Sequence, residues 1–339
     1  MVDLLCKHIF MRKKLRLNGL CMVVAMLCAM PDIIMAANPY DNPDTLVVAR
    51  DGTGQFRNVD DAIEVCRAFM DYHKVIYVKR GIYKEKLVLP QWLQNIEICG
   101  EDRDATIITW DDHANIKTVE RPGGIGTFRT YTLKIQGCDI ILKNITIENN
   151  SARLGQAVAL HTEGDRLRFI NCRFLGHQDT VYTGNAGTRL FFDHCYIEGT
   201  TDFIFGPSTA WFEQCEIHCK ANSYITAAST PQDQSYGYVF NHCRVTTAPE
   251  VTKVYLGRPW RDYGYTLFMH CQLPAAIRPE GWHRWEPQRE KTARYAEFEN
   301  TGEGASVDQR VGWSRQLSKK EATSVTIERV FSREDHWKP

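Results

Sequence analysis

The chain carries no surplus of charge of either sign, with lysine plus arginine at 41 and aspartate plus glutamate at 41 among 339 residues. A nucleic-acid binder needs a basic surface to displace phosphate counterions, so nucleic acid is not a favoured partner, although a neutral average still permits a local charged groove. There is no CxxC pair and no HExxH stretch, which leaves zinc and dithiol sites without support. The Gly-x-Ser-x-Gly elbow of the common serine hydrolases is missing too. Long apolar runs are also lacking: the stretch from Leu20 to Met30 has 11 residues, well short of the ~20 needed to span a bilayer.

What is present at the N-terminus is a targeting pattern. Arg12-Lys13-Lys14 and Arg16 precede the apolar run, and Met35-Ala36-Ala37 supplies small residues for cleavage before Asn38. Residues 1–37 therefore read as a signal peptide, and 38–339 as one exported domain in the periplasm, at the cell surface or in the medium. No lipobox precedes Cys21 or Cys28, so no membrane attachment is expected after cleavage. Nine of the twelve cysteines follow that site, an odd number that cannot all pair internally. At 43% apolar residues the chain has ample material for a core.

The mature chain opens with a strand pattern at Thr45–Ala49 and a turn at Asp51-Gly52-Thr53-Gly54. Asn58 is placed to cap a helix from about Val59 to Met70, with Asp60 and Asp61 in its first turn. Strands are expected at Val75–Val78 and near Leu87. Beyond that point a hexamer recurs: Leu142-Lys143-Asn144-Ile145-Thr146-Ile147, then Phe169–Phe174, Phe192–Ile197, Phe212–Ile217, Phe240–Val245 and Phe268–Leu273. The successive offsets are 27, 23, 20, 28 and 28. Short strands repeated every 20 to 28 residues with loops of unequal length imply a solenoid of the parallel β-helix type. A propeller would need four strands in about 40 residues, and a leucine-rich repeat needs regular leucine and asparagine positions that are not here.

Cys172, Cys195, Cys215, Cys243 and Cys271 share one position of the hexamer and should stack as an internal ladder of buried thiols. Near the end, Ser318-Lys319-Lys320-Glu321 forms a capping-box pattern, so a short helix is expected in a closing segment. The fold class is thus all-β: a single-domain parallel β-helix with an N-terminal capping helix.

Two acidic residues stand out against this frame. Asp179 and Asp202 lie 23 residues apart in apolar surroundings. A coil of that length would place them on neighbouring turns with backbones roughly 5 Å apart. Two carboxylates that close do not both ionise readily, so one becomes an acid and the other a base or nucleophile. Arg258, about two coils further on, could hold one of them ionised, and the Gln156 and Gln178 amides are neutral donors suited to an oxyanion. Singly, each of these features is more often structural; in register on one repeat-built face they form an unusual set. His161, His177, His194 and His242 are assigned to turns and repeat faces rather than to a triad.

Five segments then carry a family resemblance: Gly81-Ile82-Tyr83-Lys84-Glu85, Gln156-Ala157-Val158-Ala159-Leu160, Gln178-Asp179-Thr180, Asp202-Phe203-Ile204-Phe205-Gly206 and Leu256-Gly257-Arg258-Pro259-Trp260. In this order the series resembles that of pectin methylesterases, and the likeness extends through Arg278-Pro279-Glu280-Gly281-Trp282 and Tyr295–Gly302. The resemblance implies a right-handed parallel β-helix acting on methyl-esterified pectin; the residue types require no metal or cofactor, and a capped solenoid has no sheet edge demanding a partner, so a monomer is expected. The resemblance makes Asp202 the nucleophile, Asp179 the general acid and base, Gln156 and Gln178 the oxyanion donors and Arg258 the holder of Asp202. Trp260, Trp282 and Phe203 would contact the sugar. His177 stands where the family commonly has an aromatic residue, and Val181 replaces a usual leucine, which leads one to expect an altered pH profile through His177. A β-helix esterase for another ester, such as a thioester or a different uronate, and a non-catalytic polysaccharide-binding solenoid are the competing readings.

Overall fold

The computed structural model describes residues 38–339, so the proposed signal segment lies outside the described residues. From Leu46 onward the chain winds into three parallel sheets, one of eleven strands and two of seven. A typical turn runs through Leu167–Ile170, Arg173–Leu175 and Val181–Thr183, one strand in each sheet. The next turn repeats this with Arg189–Asp193, Tyr196–Gly199 and Ile204–Gly206. The expected solenoid is therefore a parallel β-helix, all-β apart from short helices. No helix among the described residues is long and apolar enough to cross a membrane.

The recurring hexamer is the corner between the first two sheets. Its third residue, Asn144, Asn171, His194, Gln214, His242 or His270, has φ between 49° and 55° in every copy. This left-handed kink reverses the side-chain alternation, so the apolar residues on both sides of it point inward. Its first residue builds a column of rings: Phe169, Phe192, Phe212, Phe240 and Phe268 stack with centroids 4.3–4.6 Å apart. Its fourth builds the cysteine column, fully buried and unbridged as expected. Each thiol from Cys195 to Cys271 donates to a phenylalanine carbonyl one coil back, for example Cys195 Sγ to Phe169 O at 3.2 Å.

The ends differ in detail from the sequence reading. The first helix covers only Val59–Glu64, burying Val59, Ala62 and Ile63 against the first coils. Asn58 does not cap it; its amide turns to Asp61. Glu85, arriving from the next coil, takes the free helix amides instead, with bonds from Val59 N at 3.1 Å and Asp60 N at 2.9 Å. A tertiary carboxylate at a helix N-terminus meets the same donors with a full charge. The Ser318 capping box forms as expected, starting the helix Lys319–Thr323. The closing segment meets the last strand from within through Arg310 on Glu297 and Trp313 on Tyr295, whereas its helices lie along the side of the coil. After Arg315–Gln316 extends the eleven-stranded sheet, Ala322, Val325, Val330 and Phe331 run back over its outer face onto Trp211, Val239, Leu267 and Ala296. The buried Arg189 then clasps the tail through Asp335 at 2.5 Å.

Candidate active site

The two aspartates occupy a different corner, just ahead of the seven-stranded sheet that contains Val181–Thr183 and Ile204–Gly206. Both are left-handed, at φ 68° for Asp179 and 50° for Asp202. Aspartate tolerates this region because its short side chain interacts locally. The register Val181↔Ile204 sets them on successive coils, as the 23-residue interval implied, and Asp179 N donates to Thr201 O at 3.1 Å. Parallel strands lie ~4.8 Å apart, so the carboxyl groups share one small volume. Only 9% of Asp179 and 5% of Asp202 is exposed.

Arg258 enters from the turn after Tyr255–Gly257, two strands along the same sheet. Its Nε lies 3.0 Å from Asp202 Oδ1 and its Nη2 2.6 Å from Oδ2, a two-point grip on one carboxylate. Gly257 is what lets this turn approach: a Cβ there would sit 2.0 Å from Thr226 Oγ1, which itself bonds Leu256 O. Gly206, at φ 130°, likewise closes the Asp202 segment against Thr183 O.

Asp179, Asp202, Gln156, Gln178, Arg258 and Trp260 line one cavity of about 300 Å³. Neither glutamine amide side chain is hydrogen-bonded to another of the described residues, so both remain available to a ligand. The electrostatics separate the two acids. Burial drives the Asp179 carboxyl well above the ordinary range, the neighbouring Asp202 drives it further, and Arg258 offsets only part. Burial raises Asp202 as well, but there the hydrogen-bonded guanidinium opposes it directly. Asp179 therefore keeps its proton to higher pH than Asp202 does.

Two expected sugar contacts are corrected. Trp282 is 1% exposed and faces the interior, against Phe268 and Tyr295, with its Nε1 3.3 Å from Glu297 Oε1. Glu297 is in turn paired with the buried Arg310 at 2.8 Å. The Arg278–Trp282 and Tyr295–Gly302 segments thus meet through one buried polar link, from Trp282 to Glu297 to Arg310. Phe203 is fully buried and packs across Gly199, where an added Cβ would come within 2.2 Å of its own. The aromatic wall consists instead of Trp260, Phe205, Trp285 and Phe128. Phe205 was visible inside the Asp202 motif, and Trp285 three residues beyond Trp282, but nothing in the sequence distinguishes them from their neighbours.

His177 lies outside this cavity. Burial, then the charges of Lys220 and Arg153, push its ring down to about 4, so it is neutral above pH 5 and is poorly placed to shape the profile there. A second depression of about 350 Å³ shares Phe128 with the first and continues over Tyr131, His161 and Tyr182. Lys134 and Glu163 pair in it at 2.8 Å.

A carboxylate pair set in an aromatic-walled groove on a parallel β-helix marks an enzyme of the solenoid class. The pectinesterase family model matches residues 45–334, and the chain belongs to that family. Pectinesterase 31 of Arabidopsis thaliana is 39% identical over 281 residues, covering 81% of this chain and 88% of that protein. The solved pectin methylesterase from carrot superposes with a TM-score of 0.79 at 31% identity, over 86% of this chain and 93% of its own. A pectin methylesterase solved in complex with a hexasaccharide gives a TM-score of 0.75 at 28% identity, over 87% and 98%. The chain spans about half the length of Arabidopsis and Brassica relatives named as joint pectinesterase and pectinesterase inhibitor proteins.

Proposed function

We propose that this pectinesterase removes methyl groups from galacturonate esters of pectin through an acyl-enzyme on Asp202. The carrying observation is the asymmetry of the acid pair: Asp202 is gripped at two points by Arg258, whereas Asp179, one coil away, is held protonated by burial. The ionised Asp202 oxygen attacks the ester carbonyl carbon. The tetrahedral oxyanion is met by the Gln156 and Gln178 amides, neutral donors that line the same cavity as both acids. The C–OCH3 bond breaks, and the Asp179 proton passes to the leaving oxygen to give methanol. The Asp179 carboxylate then takes a proton from water as the hydroxide attacks the acyl carbonyl, freeing galacturonate and restoring both acids.

The groove suits a polymer. Phe128 joins the catalytic cavity to the depression over Tyr131 and Tyr182, leaving room for sugar units on at least one side of the reacting one. Trp260, Phe205 and Phe128 offer apolar surfaces for ring faces. A polymer in the cell wall is met outside the cytoplasm, in keeping with residues 1–37 acting as an export signal and the remainder working as a monomer. Methanol release from highly methylated pectin tests the reading. Wild type should release it, and Asp202→Ala should lose at least about a thousand-fold in rate, the scale of removing a catalytic nucleophile. No methanol from wild type, or full activity in Asp202→Ala, would refute it.

A further inference from the structure

Arg258 touches more than Asp202. Its guanidinium carbon lies 3.9 Å from the centre of the Tyr224 ring and 3.8 Å from that of Trp285. Two aromatic rings therefore contact the guanidinium while its Nε and Nη2 face the carboxylate. Tyr224 is fixed in turn by stacking on Tyr255 at 5.3 Å. Trp285 is held by its own backbone: at φ 66° its N–H donates to His283 Nδ1 at 3.1 Å. Nearby, Arg289 Nη1 ties the same segment back to Pro259 O and Trp260 O at 3.0 and 2.7 Å.

We infer that Trp285 is a positioning residue for the reaction, acting with Tyr224 as a clamp that fixes the plane of Arg258 and so the direction of Asp202 attack. This rests on the acyl-enzyme reading above. An unrestrained arginine samples many rotamers, and a two-point bond to a carboxylate requires the guanidinium and carboxylate to be nearly coplanar. Ring contacts remove the competing orientations and exclude water from the ion pair, which strengthens it. A ring face pressed on a guanidinium at 3.8 Å is not free to hold a sugar. Trp260 differs in that the cation on its ring, at 4.6 Å, is the solvent-exposed Arg261, which bonds the Trp260 carbonyl and neither aspartate.

The groups that bear on Asp202 are Asp179, Arg258 and the buried Tyr295 phenol. Those around the clamp are His283, Arg278, Arg284 and Arg289. Loosening Arg258 removes the main influence opposing protonation of Asp202, so the acid limb of kcat/KM must move to higher pH.

The test is the pH–rate profile of methanol release from pectin by the full enzyme, for Trp285→Leu, Trp285→Phe and Trp260→Leu. Trp285→Leu should lower kcat about ten-fold, between the scale of an exposed and of a fully desolvated cation–π contact, with KM changed less than about three-fold. Its acid limb should rise, and Trp285→Phe should restore both. Trp260→Leu should raise KM with the limb in place. Thermal unfolding identifies a variant that fails to fold, in which case Tyr224→Leu, removing the other half of the clamp, must show the same shift. A Trp285→Leu enzyme that loses only KM, with an unmoved limb, overturns the clamp. If Asp202→Ala is inactive at the same time, the acyl-enzyme reading survives; if Asp202→Ala is active, that reading fails first.

Discussion

Replacing Trp282 by alanine should cost stability and leave substrate affinity alone, although the sequence places this residue in the groove. The side chain is 1% exposed, and burying some 200 Å² of tryptophan is worth about 5 kcal/mol at 25 cal/mol per Å². The cavity left between Phe268 and Tyr295 would be only partly refilled, and Glu297 would lose the indole donor, so the cost is set at about 3–5 kcal/mol. Arg310 still satisfies Glu297, which keeps the figure from rising further. Against a total of about 5–15 kcal/mol this is a large fraction. The assay is urea unfolding followed by fluorescence, paired with KM for pectin measured well below the unfolding transition. Unchanged stability with a raised KM would refute the buried placement and return Trp282 to the groove.

Asp179→Asn should abolish methanol release yet stabilise the fold. Burial raises the folded-state carboxyl above its unfolded value, so folding is penalised once the unfolded chain ionises. The gain should be absent below about pH 3.9, grow as pH rises, and level off above the folded value; unfolding curves across pH check this, and a gain independent of pH would contradict it. His177→Phe should leave the pH–rate curve between pH 5 and 8 where it is, because the ring titrates at about 4 and lies outside the cavity. A shifted limb in that window would show that His177 reaches the reacting groups after all.

The β-helix was legible because its signal is repeated. Six copies of one hexamer display the same corner, and a column of phenylalanines beside a column of cysteines leaves little freedom in register. The acid pair followed from the same arithmetic, since 23 residues make one turn here. Phe203 and Phe205 show where that arithmetic stops. Two residues apart, they should share a face of a strand, but the strand begins only at Ile204 and Phe203 still belongs to the corner. One packs inward on Gly199 and the other faces the cavity. The first helix failed similarly: Asn58 satisfied the local capping rule, but Glu85 from the next coil supplied the stronger acceptor.

By itself, the sequence determined the repeat, the stacked columns, the neighbouring aspartates and the arginine two coils along, because in-register parallel stacking converts sequence interval into spatial contact. Only the tertiary structure decided which aromatic residues line the cavity, how deeply each acid is buried and which rings meet the Arg258 guanidinium. Those depend on corners and returning loops, where alternation is broken, and on burial, which each side chain acquires from residues far away in the chain.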